Sequence, residues 1–414
     1  MKFFIRMAWR NVFTNWRRSL LTGGSIAAGL AGLIFIWACV EGTNEQMING
    51  YVDNLTGHLQ VHRRGFYKDR DIYFALDDPR SIMAQLSRFP GISGLAERIE
   101  GKVFLLFRER STDAVLIGVE PSEEVKVTNL WKSVKMGRYL QTSDTSAIVL
   151  GQDMSRQLKA NLGDQIAVVT QAADGSVGAA RYKVVGIYSP RGSDAFGSNY
   201  AFVNLNAARD LFALWGRSTG IVIRANNRYT AYFLLNLIIN MLGTRDFEVM
   251  DWWQLVPDLV NSYNMRKVFA YLTLLTVFLI VASGITGTIL MSVTERMREF
   301  GIMMALGTRG YQIIIIIILE SLLLGAISIV VGGIIGAGIV SIFNITGISF
   351  NPYARYLESG ALYFPLVVYP LLTFQRLCIL SAMVLLVSVL AAVYPAIKAS
   401  RLRPIAAIRQ VETI

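Results

Sequence analysis

Four stretches of this sequence are long and apolar enough to cross a lipid bilayer, and that feature excludes most folds open to a chain of 414 residues. They run from Leu20 to Val40, about Val268 to Val293, about Ile313 to Phe343 and about Leu377 to Tyr394. Each is close to or longer than the ~20 residues a helix needs to span hydrocarbon. Backbone polar groups in lipid must be satisfied within their own segment, so such runs are read as helices. The polar segment between the first two runs is long enough for a domain of its own. The fold class predicted is therefore membrane α-helical, with four transmembrane helices and a large mixed α/β periplasmic domain inserted between spans one and two.

An even number of spans places both termini on one side, and basic residues pick the side. Lys2, Arg6, Arg10, Arg17 and Arg18 precede span one; Arg296, Arg298 and Arg309 separate spans two and three; Lys398, Arg401, Arg403 and Arg409 follow span four. By the positive-inside bias these segments are cytoplasmic. The formal charge of +11 is read as membrane orientation rather than nucleic-acid binding. The predicted division is 1–19 interfacial helix, 20–40 span one, 41–266 periplasmic domain, 267–293 span two and 294–311 cytoplasmic coupling segment. Span three follows at 312–343, a periplasmic loop at 344–372, span four at 373–395 and a cytoplasmic tail at 396–414. Phe3, Phe4, Trp9, Phe13 and Trp16 interleaved with basic residues suit a helix lying in the membrane interface. Cys39 and Cys378 both sit in apolar runs, so neither a disulfide framework nor a zinc site is expected.

Within 41–266, Gly57–His62, Gly101–Arg108 and Ala114–Val119 read as strands, and Gln165–Thr170 is expected to pair with Tyr182–Tyr188 across the Asp174-Gly175 turn. Apolar residues at three-to-four spacing predict helices over Arg80–Arg88, Gln152–Ala160, Asn206–Leu214 and Tyr229–Leu242. Enzyme signatures fail. Gly101-Lys102-Val103 is the nearest approach to a phosphate loop and lacks its first glycine and its hydroxyl residue. His58 and His62 stand on a strand pattern, where four residues separate them by ~13 Å at ~3.3 Å per residue, too far for one metal. No hydroxyl–histidine–carboxylate triad is visible. No catalytic residue, metal site or cofactor bound by this chain is expected.

The segment from Thr294 to Thr308 is short, charged and helix-prone, and it lies between two spans. Glu295, Arg296, Arg298 and Glu299 are expected to form an exposed polar face. Phe300, Met303, Met304 and Leu306 are expected to pack on the end of the bundle, and Gly307 to end the helix. Read from the residues alone, this is either a solvated turn or a segment held by a partner.

Here the sequence resembles a known family. Arg296, Glu299-Phe300-Gly301 and Ala305-Leu306-Gly307 match the coupling helix of FtsX-like/MacB-type ABC transporter permeases, with Met304 where a basic residue is usual. The tail from Tyr394-Pro395-Ala396 through Pro404 to Arg409 is similar to the ending of the same permeases. Gly57–Tyr67, Leu150–Ile166 and Gly186–Leu205 resemble the periplasmic domain of the lipoprotein-releasing (LolC/LolE-like) branch. The resemblance implies ATPase coupling through Glu295, Arg296, Arg298, Glu299, Phe300, Gly301, Ala305, Leu306 and Gly307. It implies two copies of a separate ABC ATPase that bind the ATP and Mg, a second permease subunit, identical or homologous, and lever-like periplasmic motion rather than a channel. Few polar residues interrupt the spans, and Gly325, Gly332, Gly333, Gly336 and Gly338 of span three would let helices approach closely.

Glu320 is the ionisable exception inside a span, where charge is costly, and is read as an intramembrane coupling element held by a partner chain or a backbone donor. In the lipoprotein-releasing branch the cargo is an acylated lipoprotein passed to a periplasmic carrier or adaptor. Phe35, Ile36, Trp37, Val40, Phe269, Tyr271, Leu272 and Leu275 are the candidates for an acyl cavity facing membrane lipids. Two other roles remain open in the same family: a MacB-like mechanotransmission export pump, and an FtsX-like regulator of a periplasmic cell-wall hydrolase.

Overall fold

The computed structural model describes residues 6, 7, 9, 10, 14, 16–189, 199–350 and 367–401. Much of the interfacial helix expected at 1–19, most of the 344–372 loop, part of the Gly186–Leu205 element and the tail motif beyond Arg401 lie outside the described residues. The chain forms two compact units, one from 1–44, 264–348 and 368–414, the other from 45–263 and 349–367.

Four long helices carry the apolar runs: Trp16–Tyr51, Pro257–Glu295, Gly310–Thr346 and Phe374–Ser400. Each is long and apolar enough to cross a membrane. All four are longer than the apolar runs, because hydropathy marks the lipid-compatible part of a helix and not the point where its hydrogen-bond ladder stops. The first continues through Glu41–Gly50 and ends in a π-helical turn at Val52–Thr56 before Gly57.

Helix packing in the first unit follows the three-to-four spacing of its apolar residues. Ile26, Leu30, Leu33 and Ile34 meet Leu274, Phe278, Ile285 and Ile289, together with Ile313, Ile317, Leu380 and Val384. The third helix approaches the first through Gly332 and Gly336, a pair at small-xxx-small spacing. A Cβ at Gly332 would stand 2.6 Å from the Ala27 carbonyl oxygen, and one at Gly336 3.1 Å from the Ala31 Cα. Gly325 instead faces Leu385 and Ser388 of the fourth helix, while Gly338 faces open space. The glycine-rich run thus serves two neighbours and is not one continuous seam.

The second unit is a mixed α/β fold. Its strands are β1 (Leu59–Arg63), β2 (Ile92–Phe107), β3 (Arg110–Val119), β4 (Val134–Gly137), β5 (Ala147–Gly151), β6 (Gln165–Gln171), β7 (Val177–Tyr188), β8 (Tyr200–Asn204), β9 (Gly220–Ala225) and β10 (Phe247–Asp251). They lie in the order β10-β1-β9-β2-β3-β8-β5-β7-β4, with β6 bridging β2 and β7. Among the described pairings of these ten strands, β3 with β8 and β5 with β7 run parallel and the rest antiparallel. The expected hairpin forms, with Ile166 opposite Tyr182. Helices Pro79–Leu86, Gln152–Leu158, Leu205–Phe212 and Arg228–Leu242 lie within two residues of the predicted boundaries. Two main apolar clusters result. One gathers Leu105, Leu116, Ile148, Ile166, Val184 and Phe212, and the other Leu59, Ile82, Ile221, Ile223, Leu234 and Ile238.

The strand predicted over Gly101–Arg108 is only the second half of β2. Its first half carries Glu97, Arg98 and Glu100, charges that argue against a buried strand until their partners are known.

Candidate coupling site

The charged segment between the second and third long helices folds as a helix over Met297–Ala305. Gly307 closes it with φ +100°, a conformation that costs a residue without a Cβ little. The Thr308 amide donates to the Met303 carbonyl and the Gly307 amide to that of Met304, both at 3.0 Å. This pair of bonds is the Schellman arrangement that satisfies a helix's last carbonyls.

Arg296 corrects the expectation of a single exposed polar face, being only 7% exposed. Its Nη1 donates to Glu320 Oε2 at 3.1 Å and its Nε to Glu299 Oε2 at 2.8 Å, while the guanidinium carbon stands 5.1 Å from the centre of the Phe300 ring. One donor that Glu320 meets is therefore a side chain of its own chain. Both carboxylates share one cation, which removes most of the penalty an ionised group would suffer there. A cavity of about 30 Å³ beside the pair is lined by Thr22, Thr288, Ser292 and Ser321 among others, room for a water and little more.

The rest of the segment divides by face. Phe300 (1% exposed) and Gly301 are buried, and Met303 and Met304 pack partly against the helical core. Glu295, Arg298, Glu299 and Ala305 are exposed. Leu306 does not pack on the bundle as expected but stands 83% exposed, because the left-handed turn at Gly307 follows it at once and directs the chain away. The outward surface thus includes two acids, one arginine and two uncovered apolar side chains, Ile302 and Leu306.

The acyl-cavity candidates fall into two environments. Trp37 is buried, with the Arg376 guanidinium 5.1 Å from its ring centre and Tyr271 5.8 Å away. Phe35 lies 5.6 Å from Phe343, and Phe35 and Val40 pack on the core cluster; Ile36 is half-buried. Phe269, Tyr271, Leu272 and Leu275 are exposed along the second helix. Of these candidates, Trp37 and Tyr271 are the pair brought into ring contact with each other.

In the α/β unit, sequence reasoning missed a buried charge network. Arg98 of β2 donates to both Glu124 oxygens, at 2.5 and 3.1 Å, and to the Leu55 carbonyl at 2.6 Å, and its Nη1 lies 3.7 Å from Glu100. Burial opposes the Arg98 charge, yet Glu124 and Glu100 outweigh it and raise its pKa above the ordinary arginine value. Residues 98 and 100 share one face by strand alternation, so two opposite charges two apart inside an apolar strand were the signal available. His62 is enclosed rather than metal-ready: Nδ1 lies 2.7 Å from the Thr219 carbonyl and Nε2 2.9 Å from Gln60 Oε1, of which a neutral ring donates to one, and the ring stacks on Phe66. His58 Nδ1 accepts the Ala225 amide. Among the described residues no cluster of three or more metal-ligating side chains occurs.

Comparison with known proteins places these features. One family model, the MacB-like periplasmic core domain, matches residues 19–231, and a second, the FtsX-like permease C-terminal, matches residues 271–404. A lipoprotein-releasing system transmembrane protein LolC from Xylella fastidiosa (strain Temecula1) is 25% identical over 427 aligned positions, covering 98% of this chain and 97% of that protein. A macrolide export ATP-binding/permease protein MacB from Nitrosomonas europaea is 23% identical over 81% of this chain, which spans only 52% of that protein's length. Among solved structures, the periplasmic region of MacB from Actinobacillus actinomycetemcomitans aligns at TM-score 0.34 and 17% identity, covering 51% of this chain and 91% of that one.

Proposed function

This chain belongs to the family of ABC transporter permeases that join a MacB-like periplasmic core domain to an FtsX-like permease C-terminal, and we propose that it serves lipoprotein release from the bacterial inner membrane. In this reading both termini are cytoplasmic and the α/β domain is inserted between spans one and two on the periplasmic side. Two copies of a separate ATPase bind ATP and Mg and dock on the Met297–Ala305 helix, and a second permease subunit completes the membrane dimer. ATP-driven closure moves the coupling helix, the spans carry the motion outward, and a lipoprotein is handed to a periplasmic carrier.

The observation that carries the proposal is the end-to-end correspondence with proteins named for lipoprotein release, 98% of this chain on 97% of the relative. The coupling surface is consistent with it. Glu295, Arg298, Glu299 and Leu306 face outward, while Arg296 and Phe300 hold the helix from behind. The acyl chains of the cargo would meet Phe269, Tyr271, Leu272 and Leu275, which offer a continuous exposed apolar face. Export of a small molecule is the second reading, favoured by the MacB-named relatives that align over about four-fifths of the chain.

The test is reconstitution of the chain with its co-expressed ATPase in lipid nanodiscs, loaded with a radiolabelled lipoprotein and offered a soluble carrier. ATP should transfer label to the carrier, and Glu299→Lys should abolish transfer while the complex still assembles. Hydrolysis without transfer would reject lipoprotein release and leave export, or activation of a cell-wall hydrolase, as the use of the same coupling.

A further inference from the structure

The α/β unit contains a cavity of about 420 Å³, within the ~300–1,000 Å³ range of small-molecule sites. Its wall holds two side chains, Arg70 and Glu100, that attract one another electrostatically without forming an ion pair. Arg70 is partly buried between two tyrosines, its guanidinium carbon 5.8 Å from the ring centres of both Tyr67 and Tyr200. Among the described residues its side-chain hydrogen bonds are long ones, Nη1 and Nη2 each 3.5 Å from the Tyr200 hydroxyl. Among the described residues it forms no ion pair. The backbone at Arg70 is left-handed, φ 49°, which an arginine adopts at a cost of ~1–2 kcal/mol unless the fold requires it.

Glu100 is the second group. It is 8% exposed, and its carboxylate has one ion contact, to Arg98 at 3.7 Å, and no hydrogen bond among the described residues. Arg98 is already engaged by both oxygens of Glu124, so it gives Glu100 little. Two other polar side chains on the wall are committed elsewhere, and Asn199 and Asp258 are exposed. Gln60 Nε2 donates to the Thr56 carbonyl and its Oε1 meets His62, while the Tyr67 hydroxyl donates to the Leu255 carbonyl.

Charge sets the class of ligand. Asp258 on the same wall is exposed to solvent, and the less exposed charges, Arg70 and Arg98 against Glu100 and Glu124, balance, so a lone anion on Arg70 or a lone cation on Glu100 would leave a buried excess charge, which is costly. A ligand bearing both charges keeps the balance. We propose that this cavity binds a small zwitterion, its oxyanion on the Arg70 guanidinium between the tyrosine rings and its ammonium on the Glu100 carboxylate. Arg is suited to the first contact by its planar fork of donors, and the apolar wall of Leu55, Val115 and Ile117 encloses the carbon skeleton. Such a zwitterion is an α-amino acid or the phosphoethanolamine headgroup of a lipid. The cavity is unrelated to the coupling surface, and the inference does not depend on the cargo.

Equilibrium dialysis of the full chain in nanodiscs made from phosphatidylcholine tests it, with radiolabelled leucine and glycerophosphoethanolamine, whose phosphodiester keeps it net neutral, as probes and acetate and ethylamine as single-charge competitors. Saturable one-to-one binding of either probe, not displaced by acetate or ethylamine at equal concentration, is expected, and the probe that binds identifies the source. Arg70→Gln and Glu100→Gln should each weaken binding about 10-fold or more, the loss of one charge-assisted contact. Val115→Phe fills the cavity without touching either charge and should also abolish binding, which keeps the test decisive if a charge variant fails to fold. Absence of saturable binding by both zwitterions, equal displacement by acetate, or unchanged affinity in folded Arg70→Gln overturns the assignment.

Discussion

Replacing Glu320 by alanine should loosen the coupling helix far more than replacing Glu299, although both carboxylates contact Arg296. Arg296 side-chain exposure is 8%, and those of Glu320 and Glu299 are 17% and 64%. Removing one partner from a buried pair costs ~3–5 kcal/mol, mostly because the other charge is stranded. Glu299 remains within 2.8 Å in Glu320→Ala and recovers part of that, so about 2–3 kcal/mol is expected. If the loss appears as local opening of Met297–Ala305, amide exchange there should quicken about 30- to 150-fold, at ~1.4 kcal/mol per decade. Glu299→Ala removes a largely solvated partner three residues away and should cost about 0.5 kcal/mol, roughly a doubling. Hydrogen exchange by mass spectrometry on the chain in nanodiscs reads both values. Replacing both charges, Arg296→Met with Glu320→Leu, should return exchange near the starting rate, since an apolar pair has no charge to strand. Equal effects of the two alanine variants, or a double variant as open as Glu320→Ala, would refute the view that Arg296 and Glu320 fasten the helix to the third span.

Gly332→Leu should lower the thermal unfolding midpoint in detergent by several degrees, because a Cβ there meets the Ala27 backbone at 2.6 Å and overpacking costs about 1–3 kcal/mol; Gly338→Ala, with nothing within 4 Å, should leave the midpoint unchanged. In the α/β unit, Arg98→Met should destabilise by about 3–5 kcal/mol in denaturant titration followed by tryptophan fluorescence, and adding Glu124→Leu should recover most of that loss. Burial, its largest cause, holds the His62 pKa below the ordinary histidine value, with Arg70 adding to the effect and Glu100, Glu248 and the Thr219 carbonyl opposing it. The unfolded chain therefore takes up the proton first, so stability is complete above about pH 6.5 and falls as pH drops below it. His58 shifts the same way, so His62→Asn should reduce the acid loss measured by the unfolding midpoint without removing it.

What was legible in the sequence follows the range of the forces involved. Apolar runs of ~20 residues, a charge bias at their ends and a turn at Asp174-Gly175 are local statements, and they marked the four long helices and the β6–β7 hairpin. Helices of the α/β unit emerged to within two residues because their apolar residues recur on one face. The first half of β2 was hidden for the opposite reason. Glu97 and Arg98 read as solvated charges until Arg209 and Glu124 are in place, and those partners lie 112 and 26 residues away.

The same logic decides how the coupling segment should be read. Within nine residues of sequence, Arg296 and Arg298 are indistinguishable, two arginines on a short amphipathic helix. Their roles separate only through Glu320, 24 residues on and on the next helix, which takes Arg296 into the interior and leaves Arg298 in water. A partner docking on this surface can therefore gain an ion pair from Arg298 without breaking one, whereas recruiting Arg296 would require two carboxylates to give it up. In the proposed coupling, Arg296 would set the stiffness of the joint and contact with the ATPase would fall to Glu295, Arg298, Glu299 and Leu306. Arg298→Ala should then weaken ATPase binding while leaving amide exchange of Met297–Ala305 unchanged, and Arg296→Met should do the reverse; a pull-down and an exchange measurement on the two variants must give opposite rankings if the two arginines are divided in this way.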